Sequence, residues 1–352
     1  MTDQSRRLRV VVATPLAEEH CELIERLEPR IDLVRDQSLS PPMRHAADFS
    51  GDPSFRRTPS QQQAFDDMVD SADALYGIPD VDPAALKRTA DANPELRWVQ
   101  TMAAGGGGQV KAAGLSVDQL SRIVFTTSAG VHGGPLAEFA VFGLFAGAKD
   151  LGRLLVQQRM RNWSGRWEMR QVSDLSVLVV GLGGIGQEVV KKVAGLGATV
   201  IGTSRHGRPV EHVDRLIKVE DIVATVPEVD AIVLTLPGTA ATEKLIGAEV
   251  LAAVKPGTIL VNVGRGTVVD EDALLPALRD GRIGYAALDV FATEPLPESS
   301  PLWAEPNVLV SPHTGALNTA EDRLIAELFA HNATRLLDGD ELFNLVDTVD
   351  FY

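Results

Sequence analysis

The chain has 352 residues, of which 45% are apolar and 23% charged, a length natural for two domains and a balance ordinary for a folded globular protein. Its formal net charge of −15 argues against a nucleic-acid partner and means that an anionic substrate needs a local positive patch. The single cysteine, Cys21, excludes an intrachain disulfide and a thiolate-rich metal site, and reads as a small buried hydrophobe in a reducing compartment.

Ser5-Arg6-Arg7 faintly suggests a twin-arginine signal. However, the apolar run Val10–Ala13 meets Pro15 and then Glu18-Glu19, too soon for a signal core or a membrane span. A cytoplasmic protein with no membrane or metal partner is expected. Leu8–Thr14 reads as a buried strand, Leu16–Leu27 as a helix and Ile31–Val34 as a second strand. From Asp36 to about Ser60 the rhythm breaks at Pro41-Pro42, Pro53 and Pro59, which predicts a long surface excursion without elements of its own. It could act as a lid, as an interface arm or as plain decoration.

The alternation then resumes, with a strand ending at Tyr76-Gly77, a helix over Pro83–Ala92 and a strand over Arg97–Thr101. Ala103-Ala104 and four glycines, Gly105 to Gly108, follow, and then a strand over Ile123–Thr127. One long helix is predicted from Leu136 to about Met160, with small residues on one face. Strands at Ser176–Val180, Thr199–Gly202, Ala231–Leu236, Thr258–Val263, Tyr285–Leu288 and Val308–Val310 alternate with helical segments. Continuous apolar strands separated by helices mean parallel sheets covered on both faces, in two α/β domains of different size.

Ser176–Val180 leads straight into Gly181-Leu182-Gly183-Gly184-Ile185-Gly186 and a helical pattern. This is the strand–turn–helix context in which a GxGxxG run cradles a dinucleotide. The first glycine permits the turn, the second admits the pyrophosphate and the third lets helix and strand pack, while the helix N-terminus favours the anion. Beyond the second strand no acid appears until Glu211. Ser204-Arg205-His206-Gly207-Arg208 instead offers a hydroxyl and guanidinium groups suited to a 2′-phosphate, which favours NADP over NAD.

Three residues carry the chemistry. Arg265, between two glycines after the strand ending at Asn262-Val263, stands where ligands bind in open α/β sheets and can fork onto a carboxylate. Glu294 follows Leu288-Asp289-Val290, and His313 follows the strand ending at Val310. Adjacent strand ends can bring the carboxylate to one imidazole nitrogen, fixing the tautomer and leaving the other nitrogen as acid or base. The other six histidines (His20, His45, His132, His206, His212 and His331) lack comparable context.

On these segments, with Ala137-Glu138-Phe139, Leu236-Pro237, Thr239, Thr242, Glu294-Pro295, Ser311-Pro312-His313 and Asn344–Asp347, the chain resembles the D-2-hydroxyacid dehydrogenase family. The resemblance runs from about Ala72 to the C-terminus and more loosely over the first 35 residues. It implies a Rossmann cofactor domain, residues 131–319, inserted in a flavodoxin-like substrate domain, residues 1–130 and 320–352. Both would be doubly wound parallel sheets, with a cleft that closes on substrate and a homodimer formed through the cofactor domain. It further implies that His313 is the acid/base, Glu294 its partner and Arg265 the anchor for the carboxylate and carbonyl. Asp289 would contact the nicotinamide carboxamide. Leu236, Pro237, Val263, Gly264 and Gly315 would line the cofactor, and Tyr76, Gly77, Ala104, Gly105 and Gly106 would meet the substrate.

The glycine run departs from the family's usual substrate loop; it could grip an anion through backbone N–H groups or serve as a hinge. The implied activity is NAD(P)-dependent interconversion of a 2-keto acid and a D-2-hydroxy acid. Glyoxylate or hydroxypyruvate reduction suits the NADP reading. Phosphoglycerate dehydrogenation is a further option, although no appended domain follows Asp347. Glu294 where an amide would be needed speaks against a formate dehydrogenase. A nucleotide-sensing, corepressor-like binding protein with little turnover is the alternative from another class.

Overall fold

The computed structural model describes residues 7–204, 207–349 and 351. The chain divides into two units, Met1–His132 with Leu317–Tyr352, and Gly133–Ala316. In the first, the chain runs β1 (Leu8–Val12), α1 (Glu18–Leu27), β2 (Ile31–Val34), α2 (Pro59–Val69) and β3 (Ala74–Tyr76). It continues through α3 (Pro83–Ala92), β4 (Trp98–Gln100), α4 (Gly107–Ala112), α5 (Val117–Arg122) and β5 (Val124–Thr126). The strands pair in parallel in the order β2-β1-β3-β4-β5. The order reverses between β1 and β3, the position at which open α/β sheets present a ligand crevice.

The second unit begins with α6 (Gly133–Ala148) and α7 (Leu151–Arg159). It proceeds through β6 (Ser176–Val180), α8 (Gly184–Gly195), β7 (Thr199–Thr203), β8 (Arg215–Ile217), α9 (Ile222–Thr225) and β9 (Ala231–Leu234). Then come α10 (Ala248–Ala253), β10 (Thr258–Asn262), α11 (Glu271–Arg279), β11 (Ile283–Leu288) and β12 (Val308–Val310). Its seven strands form a parallel sheet, β12-β11-β10-β9-β6-β7-β8, reversing between β6 and β9. The doubly wound parallel architecture of both units is the one expected. Strands β6, β9 and β10 are buried on both faces, which is why they read as unbroken apolar runs.

The chain then returns to the first unit as α12 (Glu321–Asp338). Its Phe329 ring stacks on Trp98 at 4.5 Å between centroids and meets Tyr76 edge-on at 5.2 Å. Ile325, Ala326, Ala330 and Ala333 complete that buried face against β1, β2 and β3. Beyond α12, Val346 N–H donates to Phe125 O and Thr127 N–H to Asn344 O, so the last segment lies along β5.

Several local expectations change. The predicted Leu136–Met160 helix is two helices, because Asp150 takes a left-handed conformation (φ 55°) between them. A 3.6-residue periodicity continues across such a residue unaltered, so the pattern alone cannot show the break. Gly143 and Gly147 supply the small face of α6: a Cβ there would lie 2.8 Å from Ala287 Cβ and 2.7 Å from Ile259 Cγ1.

The excursion after β2 also carries structure. Gln37–Leu39 is a 3-10 turn, and α2 starts at Pro59 because Thr58 and Gln61 form a capping box with proline in the first turn. The second half of the glycine run opens α4. Strand β8, whose residues are exposed or only half-buried, carries no strong apolar signal and was not foreseen. No helix among the described residues is long and apolar enough to cross a membrane.

Candidate active site

The registers of the second sheet set the site. Asn262 of β10 aligns with Leu288 of β11, which aligns with Val310 of β12. Three strands therefore end at one level. Arg265 follows the first by three residues, Glu294 the second by six and His313 the third by three. His313 Nδ1 lies 2.7 Å from Glu294 Oε2, and Glu294 Oε1 accepts the Phe291 N–H at 2.9 Å. The carboxylate is thus fixed by its own turn, where the Glu294-Pro295 peptide is cis. His313 is half exposed and adopts a left-handed backbone (φ 54°), a conformation uncommon outside glycine and concentrated at functional positions.

Asp289 holds that conformation. It is fully buried, and its Oδ1 accepts from Ser311 Oγ at 2.5 Å, Thr314 N–H at 3.0 Å and Gly315 N–H at 2.9 Å. One carboxylate oxygen thereby ties down both flanks of His313. Its Oδ2 is buried without a hydrogen-bond partner. An orphaned buried acceptor is costly, and a donor such as a carboxamide would satisfy it. Gly315 is needed beside it, since a Cβ would come within 2.9 Å of that oxygen.

Arg265 is exposed, with Nη1 bonded to Gly264 O at 2.7 Å, while its own carbonyl accepts from Asn262 Nδ2. Gly264 is buried against Leu236, whose O would lie 2.5 Å from an added Cβ, and Val263 is buried with its N–H on Leu234 O. These two set the β10 turn through their backbone. Leu236 is half-buried and Pro237 exposed at the neighbouring strand end.

The dinucleotide cradle lies at the sheet's reversal, between β6 and β9. Gly181 has φ 106°, its N–H donates to Thr203 Oγ1 at 2.9 Å, and its O accepts from Thr235 Oγ1 at 2.7 Å. A Cβ on Gly186 would sit 1.9 Å from Gly181 O, so helix and strand touch only because it is glycine. Gly183 and Gly184 are exposed, and a Cβ on either would meet nothing within 4 Å. Their bareness serves nothing in the folded chain, yet it leaves the N–H groups at the start of α8 open to a pyrophosphate. Ile185 is half-buried beneath this turn. The residues present therefore fit a dinucleotide.

At the end of β7, Ser204 N–H donates to Ile217 O and its Oγ accepts from Gly207 N–H at 3.1 Å. Arg208 is exposed, whereas Arg205 and His206 lie outside the described residues.

One substrate assignment changes. The Tyr76 side chain is wholly buried in the core of the first unit, against Phe329, with burial raising its pKa further from the neutral range. Only the backbone that follows it can face a ligand. In that unit Gly77 (φ 90°) closes on Thr14, and Ala104 and Gly105 form the turn before α4. Gly106 is buried there, because a Cβ would lie 1.8 Å from Thr101 Oγ1. Gly106 N–H donates to Ala103 O and Gly108 N–H to Gly105 O, so part of the glycine run is already committed to its own turn.

Two pairings had no sequence signal. Glu271 Oε1 accepts the Ala292 N–H at 2.7 Å, bracing the Glu294 turn. In the first unit, His132 Nε2 lies 2.8 Å from Glu321 Oε1 in a buried pair. Among the described residues no group of three or more His, Cys, Asp or Glu side chains could hold a metal.

Comparison with known proteins places the chain in a family. Residues 141–315 match the family model described as D-isomer specific 2-hydroxyacid dehydrogenase, NAD binding domain. The chain is 32% identical over 276 residues to glyoxylate/hydroxypyruvate reductase B of Yersinia enterocolitica, covering 76% of this chain and 81% of that protein. It is 32% identical over 214 residues to D-3-phosphoglycerate dehydrogenase of Methanocaldococcus jannaschii, of which it covers only 41%. Among solved structures, a D-isomer specific 2-hydroxyacid dehydrogenase from Xanthobacter autotrophicus Py2, in complex with NADPH and MES, superposes with a TM-score of 0.77. It shares 28% identity, with 98% of this chain and 100% of that one covered. The chain therefore belongs to the D-isomer specific 2-hydroxyacid dehydrogenase family and is an NAD(P)-dependent oxidoreductase.

Proposed function

We propose that the protein reduces a small 2-keto acid to the D-2-hydroxy acid, with NADPH preferred. The observation that carries this reading is the 2.7 Å His313–Glu294 pair at the strand-end level that also presents Arg265. Arg265, an exposed cation at this edge in a chain of net charge −15, receives the substrate carboxylate in its fork and polarises the keto oxygen. His313 directs Nδ1–H at Glu294, which orients the ring and balances an imidazolium, and donates the Nε2 proton to the developing alkoxide. Gly183, Gly184 and the α8 N-terminus would hold the pyrophosphate. Asp289 Oδ2 would take the carboxamide, and Ser204 with Arg205 and Arg208 would take a 2′-phosphate. The bound nicotinamide supplies hydride chemistry. Gly77, Ala104, Gly105 and Gly106 are assigned to substrate binding through their backbone.

The names of the matched relatives favour catalysis over nucleotide sensing, and glyoxylate and hydroxypyruvate are the first substrates to try. The single buried cysteine suits a reducing compartment, so a cytoplasmic location belongs to the same reading. A homodimer is supported by an apolar surface that its own unit leaves uncovered. Phe142, Phe145, Leu154, Leu155, Met160 and Trp163 are exposed, and α7 buries none of its residues. Light-scattering mass of the wild type against Leu155→Glu tests it: a dimer that the charge splits is expected, and a wild-type monomer would overturn it.

The central test follows loss of reduced-nicotinamide absorbance across glyoxylate, hydroxypyruvate, pyruvate, phenylpyruvate and phosphohydroxypyruvate, with NADPH and with NADH. His313→Ala should cost on the order of 10² to 10⁴ in rate. Near-wild-type turnover by that variant would overturn the assignment.

A further inference from the structure

We propose that Arg57, at the end of the excursion after β2, is a positioning residue for the loop Gly77–Asp82. The inference rests on the reading that this loop contributes to substrate binding. The loop leaves β3 beside the reversal point of the first sheet, and it is backbone of an improbable kind. After Gly77 at φ 90°, Asp80 and Val81 are two successive non-glycine residues in the left-handed region, at φ 54° and 57°. For a β-branched valine this conformation is an outlier that persists only when its surroundings enforce it.

Arg57 provides that enforcement from outside the loop. Its side chain is 7% exposed, and Nη1 and Nη2 each lie 2.8 Å from one oxygen of Asp80 in a two-pronged pair. Nε donates to Leu39 O at 2.5 Å, and Nη1 also reaches Gln62 Oε1 at 3.3 Å. The guanidinium stands 3.7 Å above the Phe65 ring. A planar fork with its donors fixed and its face stacked is a rigid strut, which a lysine cannot reproduce.

The strut joins parts that the chain order keeps distant. The Asp80 N–H donates to Ala13 O at the end of β1, and the Val81 carbonyl accepts from Gln109 Nε2 at 3.4 Å in the helix opened by the glycine run. The excursion is also anchored by the Ala47 N–H on the carboxylate of Asp322, at the start of α12. The segment is therefore pinned near its middle and at its end, and the end pin sets the conformation of Asp80.

The test compares wild type with Arg57→Gln, Asp80→Asn and the double variant. Asp80→Asn retains a residue that tolerates the left-handed region, so it guards against a folding failure at Arg57. Expected is a rise of about tenfold in KM for the best keto acid with kcat little changed, because a binding contribution is lost rather than a reacting group. Cofactor affinity should hold, and the double variant should be no worse than either single one. Amide hydrogen exchange across residues 78–82 should quicken in both single variants, while the exposed neighbour Arg56→Gln should match wild type. Unchanged KM and unchanged exchange would overturn the proposal with the enzyme reading intact. Quickened exchange in the two single variants, alongside a wild type that reduces no keto acid, would establish the strut and overturn the substrate reading instead.

Discussion

Gly266→Ala isolates the packing that joins the two halves of the catalytic edge. Gly266 follows Arg265 and opens the 3-10 turn after β10. Its φ is not in the left-handed region, so the substitution tests space alone. An added Cβ would lie 1.8 Å from the Phe291 carbonyl carbon, 2.0 Å from its oxygen and 2.4 Å from Ala292 N. All three are backbone atoms, which cannot swing aside as a side-chain tip would. Real Cβ contacts essentially never fall below 3.0 Å, so the two segments must part by at least ~1 Å, a misplacement that near catalytic groups costs on the order of 10²-fold.

The strain has a defined route into the chemistry. Phe291 N–H holds Glu294, Ala292 N–H is held by Glu271, and Arg265 is the residue adjacent to the new methyl. Overpacking of this kind also costs about 1 to 3 kcal/mol of stability. The assay pairs steady-state kcat and KM with thermal or denaturant unfolding. Gly195→Ala, at the end of α8 where a Cβ meets nothing within 4 Å, is the control and should be neutral or slightly stabilising. Gly266→Ala with wild-type kcat and wild-type melting would refute the reasoning, whatever the substrate proves to be.

Other predictions concern separate parts of the molecule. Gly183→Val should fold with wild-type stability, since the position opens on empty space, yet weaken dinucleotide binding by about tenfold or more, read by nicotinamide fluorescence titration. Equal affinity would remove the cradle assignment. Glu28, buried between Arg30 and Thr334, has its carboxyl held at about 2 instead of the ordinary 4.5, chiefly by hydrogen bonding from Arg30. A lowered carboxylate pKa stabilises the fold above pH 4.5 and loses that contribution as pH falls towards 2. The full drop corresponds to at most about 3 kcal/mol, and solvent around half-exposed Arg30 reduces the loss expected in Glu28→Gln at pH 7 to about 1 to 2 kcal/mol. The gap to wild type should narrow between pH 4.5 and pH 3 in denaturant titrations; a constant gap would show that the ion pair is not its source. The Cys21 thiol, pushed up to about 12 by burial, should resist alkylation at pH 8 until the protein unfolds, and rapid labelling of the native protein would contradict its placement.

What the sequence determined by itself is the repeated, local part of the design. Apolar runs such as Ser176–Val180 and Thr258–Asn262 specify strands buried on both faces. The spacing of Gly181, Gly183 and Gly186 encodes a turn, an opening and a close packing, all within six residues. Arg265, Glu294 and His313 were legible because each follows a strand, and a parallel sheet brings the ends of adjacent strands together. The tertiary structure decided whatever depends on a single torsion or a distant partner. Asp150 breaks a helix that periodicity carried through, and the Tyr76 side chain turns inward because Phe329, from a helix more than 240 residues later, covers it. Asp289 looked like a cofactor contact, yet one of its oxygens fastens the histidine loop and only the other is left for a ligand. Arg57 shows the limit most plainly. An arginine in a proline-broken segment looks like surface decoration, and only the fold, by placing Asp80 beneath its fork and Phe65 under its face, makes it a strut.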